Sequence, residues 1–232
     1  MTTAPSRRLS LPRVLSFSSL SIPLAGVGLP LAVYLSPLYA HEVGLGLEMT
    51  GLLFMLLRFW DIFTDPVMGY LVDRYRSPLG RVRHWILLSV PLLAIATYFV
   101  YMPPRTGAGP AYFVGWMLLF YIGFTLLQTS RSAWVPAIAD SYDERSRLFL
   151  WPEIVSILSM LTLLALPALL PLFGFDLDRF GQVAVMGGML LISLPIAGAL
   201  AFFFVPDRPV PGDKGAVMKF ELKPLLAAVK NQ

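Results

Sequence analysis

Apolar positions along the chain fall into six long runs, at about residues 15–40, 49–72, 85–102, 111–139, 148–173 and 181–205. A helix needs roughly 20 mostly apolar residues to cross the ~30 Å hydrocarbon core of a bilayer, and each run is of that order. None shows the ~10-residue alternation of apolar and polar positions that marks a membrane β-barrel. The pattern predicts an all-α membrane protein with six transmembrane helices over residues 15–205. A cytoplasmic N-terminal segment (1–14) precedes the bundle and a cytoplasmic linker or tail (206–232) follows it. The breaks are short. One carries Gly44 and Gly46, one is a Pro/Gly loop at 103–110, one is charged at 140–147, and one carries Asp176, Asp178 and Arg179. An amphipathic or interfacial helix is expected to begin at 225–230.

Composition supports the membrane assignment. Of 232 residues, 56% are apolar and only 14% charged, against about 25% charged in a soluble domain. Disorder, a coiled coil and a disulfide-stapled fold are excluded. The chain has no cysteine and two histidines, so thiolate catalysis, cysteine zinc sites, redox switching and a histidine-rich metal centre are not expected.

The net charge of +4 acquires meaning from its distribution. Arg7, Arg8 and Arg13 precede the first run, and Arg74, Arg76, Arg81 and Arg83 lie between the second and third. Arg145 and Arg147 lie between the fourth and fifth, and Arg208, Lys214, Lys219, Lys223 and Lys230 follow the sixth. The opposite side has only Arg105 and Arg179. This 14-to-2 split is a positive-inside pattern. It places both termini in the cytoplasm and removes the need for a nucleic-acid partner. The Arg7-Arg8 pair resembles a twin-arginine export signal, but the apolar stretch behind it is too long for a signal peptide.

Five ionisable residues fall inside the runs: Arg58, Asp61, Asp65, Arg131 and Glu153. Each is costly in a membrane and marks a pathway or site by default. Arg58, Asp61 and Asp65 are spaced i, i+3, i+7 and share one helical face. Two carboxylates one turn apart repel, which favours one proton or one hard cation between them. Pro66 frees a nearby carbonyl. The alternative is a static salt-bridged cluster. In the fourth run Thr125, Gln128 and Ser132 form a second polar face, either helix-packing glue or a cation ligand (Thr125) beside a solute contact (Gln128). Glu153 in the fifth run is interfacial, paired with Arg131, or exposed to a cavity. Between the second and third runs, Gly69 permits close helix approach, and Asp73, Arg74, Gly80, Arg81 and Arg83 suit a charge network that makes and breaks at a gate, or simply a basic topology-fixing loop.

Gly69-x-x-x-Asp73-Arg74 followed by Gly80-Arg81-x-Arg83 resembles the loop signature of the major facilitator superfamily. The longer string Arg58-Phe-Trp-Asp61-Ile-Phe-Thr-Asp65-Pro66-Val-Met-Gly69-Tyr resembles the second-span motif of the glycoside–pentoside–hexuronide:cation symporters, the melibiose-carrier group. Val135-Pro136 and Pro152 also match. The resemblance implies one half, built of 3+3 inverted repeats, of a major facilitator fold. It implies that Asp61 and Asp65 bind the coupling sodium ion or proton, that Thr125 supplies a hydroxyl ligand, and that Arg58 lines the cavity. The sugar-binding positions of that group fall here at about Ala25, Gln128, Ser132 and Glu153, so the solute side is rebuilt.

The chain is therefore expected to act as the amino-terminal half of a cation-coupled symporter for a sugar or related small solute, in the cell (inner) membrane. It would need a carboxy-terminal six-helix half or a second subunit. No cofactor is expected, and no metal beyond sodium at Asp61 and Asp65. The competing expectations are a non-transporting six-span scaffold or truncated inactive fragment, and a membrane enzyme. No nucleophile–base pair accompanies the acids to support the enzyme.

Overall fold

The computed structural model describes residues 9–75, 77, 79–139 and 141–206. Arg7, Arg8, Arg76, Arg208, Lys214, Lys219, Lys223, Lys230 and the helix expected at 225–230 lie outside the described residues. The described residues form helices joined by short loops and turns, without a strand ladder among them. Two short helices, α1 (Leu11–Ser18) and α2 (Ser21–Leu24), lead into the π-type turns Leu31–Leu35 and Leu38–Glu42. Five long helices follow: α3 (Leu47–Arg74), α4 (Arg83–Tyr101), α5 (Pro110–Ile138), α6 (Tyr142–Leu169) and α7 (Arg179–Phe204).

Among the described residues, four stretches are long and apolar enough to cross a membrane: Arg83–Tyr101, Pro110–Ile138, Tyr142–Phe173 and Arg179–Phe204. The six expected continuous spans are thus not all present as such. α3 has ample length at 28 residues, but Glu48, Arg58, Asp61, Asp65, Asp73 and Arg74 dilute its apolar character. The first run is broken. Pro23, Pro30 and Pro37 recur every seven residues; each lacks an N–H and crowds the carbonyl four residues back. Gly28 takes a positive φ of 106° between α2 and the first π turn, a conformation open to glycine at little cost. The two π turns start directly after Pro30 and Pro37.

The stretch expected as a charged break at 140–147 is mostly helix. Ser141 caps α6 by accepting the Glu144 N–H, and Asp143 and Glu144 sit in the first turn, where the helix dipole favours acids. Glu144 is buried; it accepts from the Leu9 N–H at 3.3 Å and pairs with Arg147 at 2.7 Å, which ties the start of α1 to the start of α6.

The core lies where α4 packs between α5 and α7, with α1 and α6 alongside and α3 laid on α5. Trp134, Tyr101, Tyr39, Phe17, Phe113 and Phe120 are its largest buried side chains. Among the described residues α3, α4, α6 and α7 also expose large apolar residues, such as Ile62 and Phe63 on α3, Leu158 on α6 and Phe203 on α7. An apolar exterior of this extent suits lipid rather than water.

The two basic residues that break the charge asymmetry are both paired. Arg105, in the loop before α5, meets Asp178 at 2.7 Å and lies over the Phe180 ring; Arg179 meets Glu42 at 3.7 Å. Asp178 also caps α7, accepting the Gly181 N–H at 2.9 Å. That backbone N–H and Arg105 hold the Asp178 carboxyl below its usual range. A depressed folded pKa contributes stability above the carboxyl's ordinary value of about 4 and loses it as pH falls through the folded value. The melting temperature of the solubilised chain is therefore expected to hold down to about pH 5 and to fall below about pH 4. Asp178→Ala should melt lower at neutral pH and show a shallower acid limb. Identical acid limbs in the two proteins would remove Asp178 as a cause.

Candidate functional site

α3 runs unbroken through Pro66, so the i, i+3, i+7 spacing of Arg58, Asp61 and Asp65 holds as one helical face. Arg58 and Asp61 approach to 3.7 Å, a loose pair with the Arg58 side chain 68% exposed and that of Asp61 only 16%. Thr64 turns its hydroxyl back onto the Trp60 and Asp61 carbonyls, at 3.3 Å each. Pro66 has no N–H, so the Ile62 carbonyl lacks its helical donor.

α5 faces this stretch. Thr125 donates its hydroxyl to Asp65 Oδ1 at 3.1 Å, an interhelical bond that fixes Asp65. Asp61 Oδ1 is buried and has no hydrogen-bond partner among the described residues. Arg58, Asp61, Ile62, Asp65, Thr125 and Gln128 line one cavity of about 600 Å³, closed on another side by Gly28 from the broken first run. The two carboxylates and the Thr125 hydroxyl that line it are hard oxygen donors. Such a set suits sodium, or a proton shared between the acids.

The other solute positions divide. Gln128 shares the cavity, but Ala25 is buried and is not among its walls. Ser132 and Glu153 lie in a separate small cleft with Arg131 and Pro152. There Arg131 donates to the Ser21 hydroxyl and stands 4.0 Å from Glu153, joining α2, α5 and α6. A smaller cavity, of about 310 Å³, adjoins the first and shares Arg58 and Gly28 with it.

The loop residues form contacts rather than a cavity. Arg81 pairs with Asp73 at 3.2 Å. Arg83 donates to the Val205 carbonyl at 2.8 Å and lies over Phe202, so it caps the end of α7. Arg74 donates to the Tyr70 hydroxyl. Gly80, with φ of 122°, closes a tight turn onto Ser77. The close helix approach expected at Gly69 is not made: a Cβ there would meet nothing within 4 Å among the described residues. The intimate glycine contacts are elsewhere, at Gly123 against Leu93 and at Gly187 against Tyr101.

Sequence reasoning missed Tyr121, Phe124, Thr129 and Gly28 as cavity walls. Tyr121 and Thr129 stand four residues either side of Thr125, on the same helical face, so the α5 periodicity contained the signal.

Comparison with known proteins gives the family. Residues 16–222 match the model of the family described as MFS/sugar transport protein. The chain is 28% identical over 201 residues to the putative sulfoquinovose importer of Escherichia coli, covering 81% of this chain and 41% of that protein. It is 26% identical over 210 residues to an uncharacterized symporter of Synechocystis, covering 85% of this chain and 38% of that protein. A shorter stretch of 75 residues is 39% identical to the mouse sodium-dependent lysophosphatidylcholine symporter 1, covering 31% of this chain and 14% of that one. The chain thus aligns with less than half the length of each of these relatives.

Proposed function

The chain belongs to the MFS/sugar transport protein family, and from that premise we propose that it forms one six-helix bundle of a secondary active transporter moving a sugar-like solute together with sodium or a proton. Asp61 Oδ1 carries the reading. A buried carboxylate oxygen without a partner is a high-energy arrangement. Asp61 lines a cavity together with Asp65 and Thr125, where a cation or a proton relieves the charge. A purely structural scaffold gains nothing from it.

Six crossings arranged as 3+3 repeats are part of the proposal. The broken first run counts as one crossing and α3 as the second, since irregular backbone is tolerated at membrane depth where it lines a cavity. The packing pairs support the repeat. Exchanging the first run with α5, α3 with α6 and α4 with α7 maps the contacts of the first run with α6 and α7 onto those of α5 with α3 and α4. In this arrangement the termini and the Arg81–Asp73 loop are cytoplasmic, in an inner or plasma membrane. Arg105 and Arg179 face the other side. Alternating access needs a second bundle rocking against this one, from a carboxy-terminal half or a second subunit.

Two relatives, named as a sulfosugar importer and a sodium-dependent symporter, favour an uncommon sugar and sodium. Proteoliposomes holding the chain joined to a carboxy-terminal half test the function. Solute uptake is expected to rise with an inward sodium or proton gradient. Uptake indifferent to both gradients would overturn coupling, and no uptake of any sugar would overturn transport.

A further inference from the structure

We propose that the cavity of about 310 Å³ beside the acidic pair is a subsite for an anionic group on the solute, a sulfonate, carboxylate or phosphate, gripped by Arg58 once a cation occupies Asp61 and Asp65. The inference rests on the cation-site reading above and adds the charge of the solute to it.

Arg58 is the hinge between two cavities. It lines the larger one with Asp61 and Asp65, and also the smaller one, which lies one to two turns nearer the N-terminal end of α3, beside Gly51 and Phe54. Among the described residues the smaller cavity has no acid in its walls. Its other polar side chains are Ser36 and Tyr121, and Phe54, Met55 and Leu31 supply apolar surface. Arg58 is the single charged group there among the described residues, and most of its side chain is open. A guanidinium presents a planar fork of donors that suits an oxyanion, and neighbouring hydroxyls can add to it.

The Arg58–Asp61 pair is loose. At 3.7 Å it exceeds the ~2.7–2.9 Å of a charge-assisted hydrogen bond. With no cation present, Asp61 and Asp65 outnumber Arg58 by one charge, and the local field repels an anion. A cation between the carboxylates cancels that excess and competes with Arg58 for Asp61. The guanidinium is then released toward the acid-free cavity. Cation binding therefore precedes and strengthens anion binding at a neighbouring site. An uncharged sugar gains nothing from the exchange.

The walls named for the smaller cavity all come from this chain, so the chain itself, in lipid nanodiscs, is the test material. Calorimetric titrations compare glucose with sulfoquinovose, glucuronate and glucose 6-phosphate, with sodium against choline, at neutral and mildly acidic pH. At least one charged sugar is expected to bind about 10-fold or more tighter than glucose, with the gap narrowing when the cation is withdrawn. The preferred sugar identifies which anion the cavity takes. Arg58→Gln should erase the gap, and Arg58→Lys should keep part of it. Charged sugars binding no better than glucose, or a gap that survives Arg58→Gln, would overturn the subsite. A gap that depends on Arg58 but not on the cation would overturn the ordering. The cation-induced rise in melting temperature is read on the same samples. A parent chain that shows no such rise defeats the cation site itself. A normal rise without an Arg58-dependent gap defeats the anion subsite alone.

Discussion

Asp61→Asn is expected to abolish cation-coupled uptake and to weaken cation binding by roughly 10- to 150-fold, while raising the melting temperature of the cation-free chain. The two effects have one cause. Asp61 Oδ1 is buried without a hydrogen-bond partner among the described residues, and the Asp61 ion pair to Arg58 is 3.7 Å long. Removing a charged ligand loses roughly 1.5–3 kcal/mol of interaction with a cation, and an uncompensated buried charge costs at least that much when the cation is absent. Functional sites commonly carry such a stability penalty. A static salt bridge makes the opposite prediction: Asp61→Asn would then lower the melting temperature and leave cation response intact. Thr125→Val gives the graded comparison. It removes one neutral donor to Asp65, so a loss nearer 10-fold in cation affinity is expected, with uptake reduced rather than lost. Titrating sodium, and separately pH, against melting temperature reads all three proteins on one scale.

The long apolar helices were readable because their signal is local. α4, α5 and α7 begin and end within a few residues of their apolar runs, where Gly, Pro and charged residues punctuate the chain. The first run misled for a physical reason. Apolar content alone suggests a continuous span, but Pro23, Pro30 and Pro37 interrupt its hydrogen bonding at every second turn, and the chain responds with short helices and wide π turns. That periodicity was in the sequence and outweighs hydropathy. The start of α6 was hidden differently, because the charges at 143–147 resemble a loop until Ser141 and Glu144 are recognised as a helix start.

For the site, one-helix spacing was enough to align Arg58, Asp61 and Asp65, since α3 is regular there. Partnering between helices was not readable in the same way. Thr125 reaches Asp65 across 60 positions, whereas Ser132, only two turns further along α5, is carried away to the Arg131–Glu153 cleft. Nothing in the spacing along α5 marks where its polar face passes out of one cavity and into another.

Gly187→Ala is expected to destabilise the bundle sharply, while Gly188→Ala, its neighbour, does not. A Cβ on Gly187 would sit 2.5 Å from Tyr101 Cβ, and one on Gly188 would meet nothing within 4 Å. Tyr101 cannot yield. Its Cβ is bonded to the α4 backbone, its ring is buried, and its hydroxyl donates to the Gly26 carbonyl at 2.8 Å. The whole end of α4 would have to move. Along the same interface a Cβ on Gly198 would be 2.8 Å from Val90, and on its far side α4 meets α5 at Gly123, so α4 is held on two sides and has no room to shift. Overpacking of this kind costs about 1–3 kcal/mol. Gly188→Ala should instead be neutral or gain up to about 1 kcal/mol from helix propensity. Both substitutions add one methyl to one helix, so propensity and bulk hydrophobicity cancel in the comparison. Equal melting shifts in the two variants would mean that α4 and α7 do not pack through Gly187. A loss confined to Gly187→Ala would also loosen the Tyr101–Gly26 bond, which ties this packing to the broken segment whose Gly28 closes the cavity beside Asp61 and Asp65. In that variant the cation-induced rise in melting temperature should shrink together with the melting temperature itself.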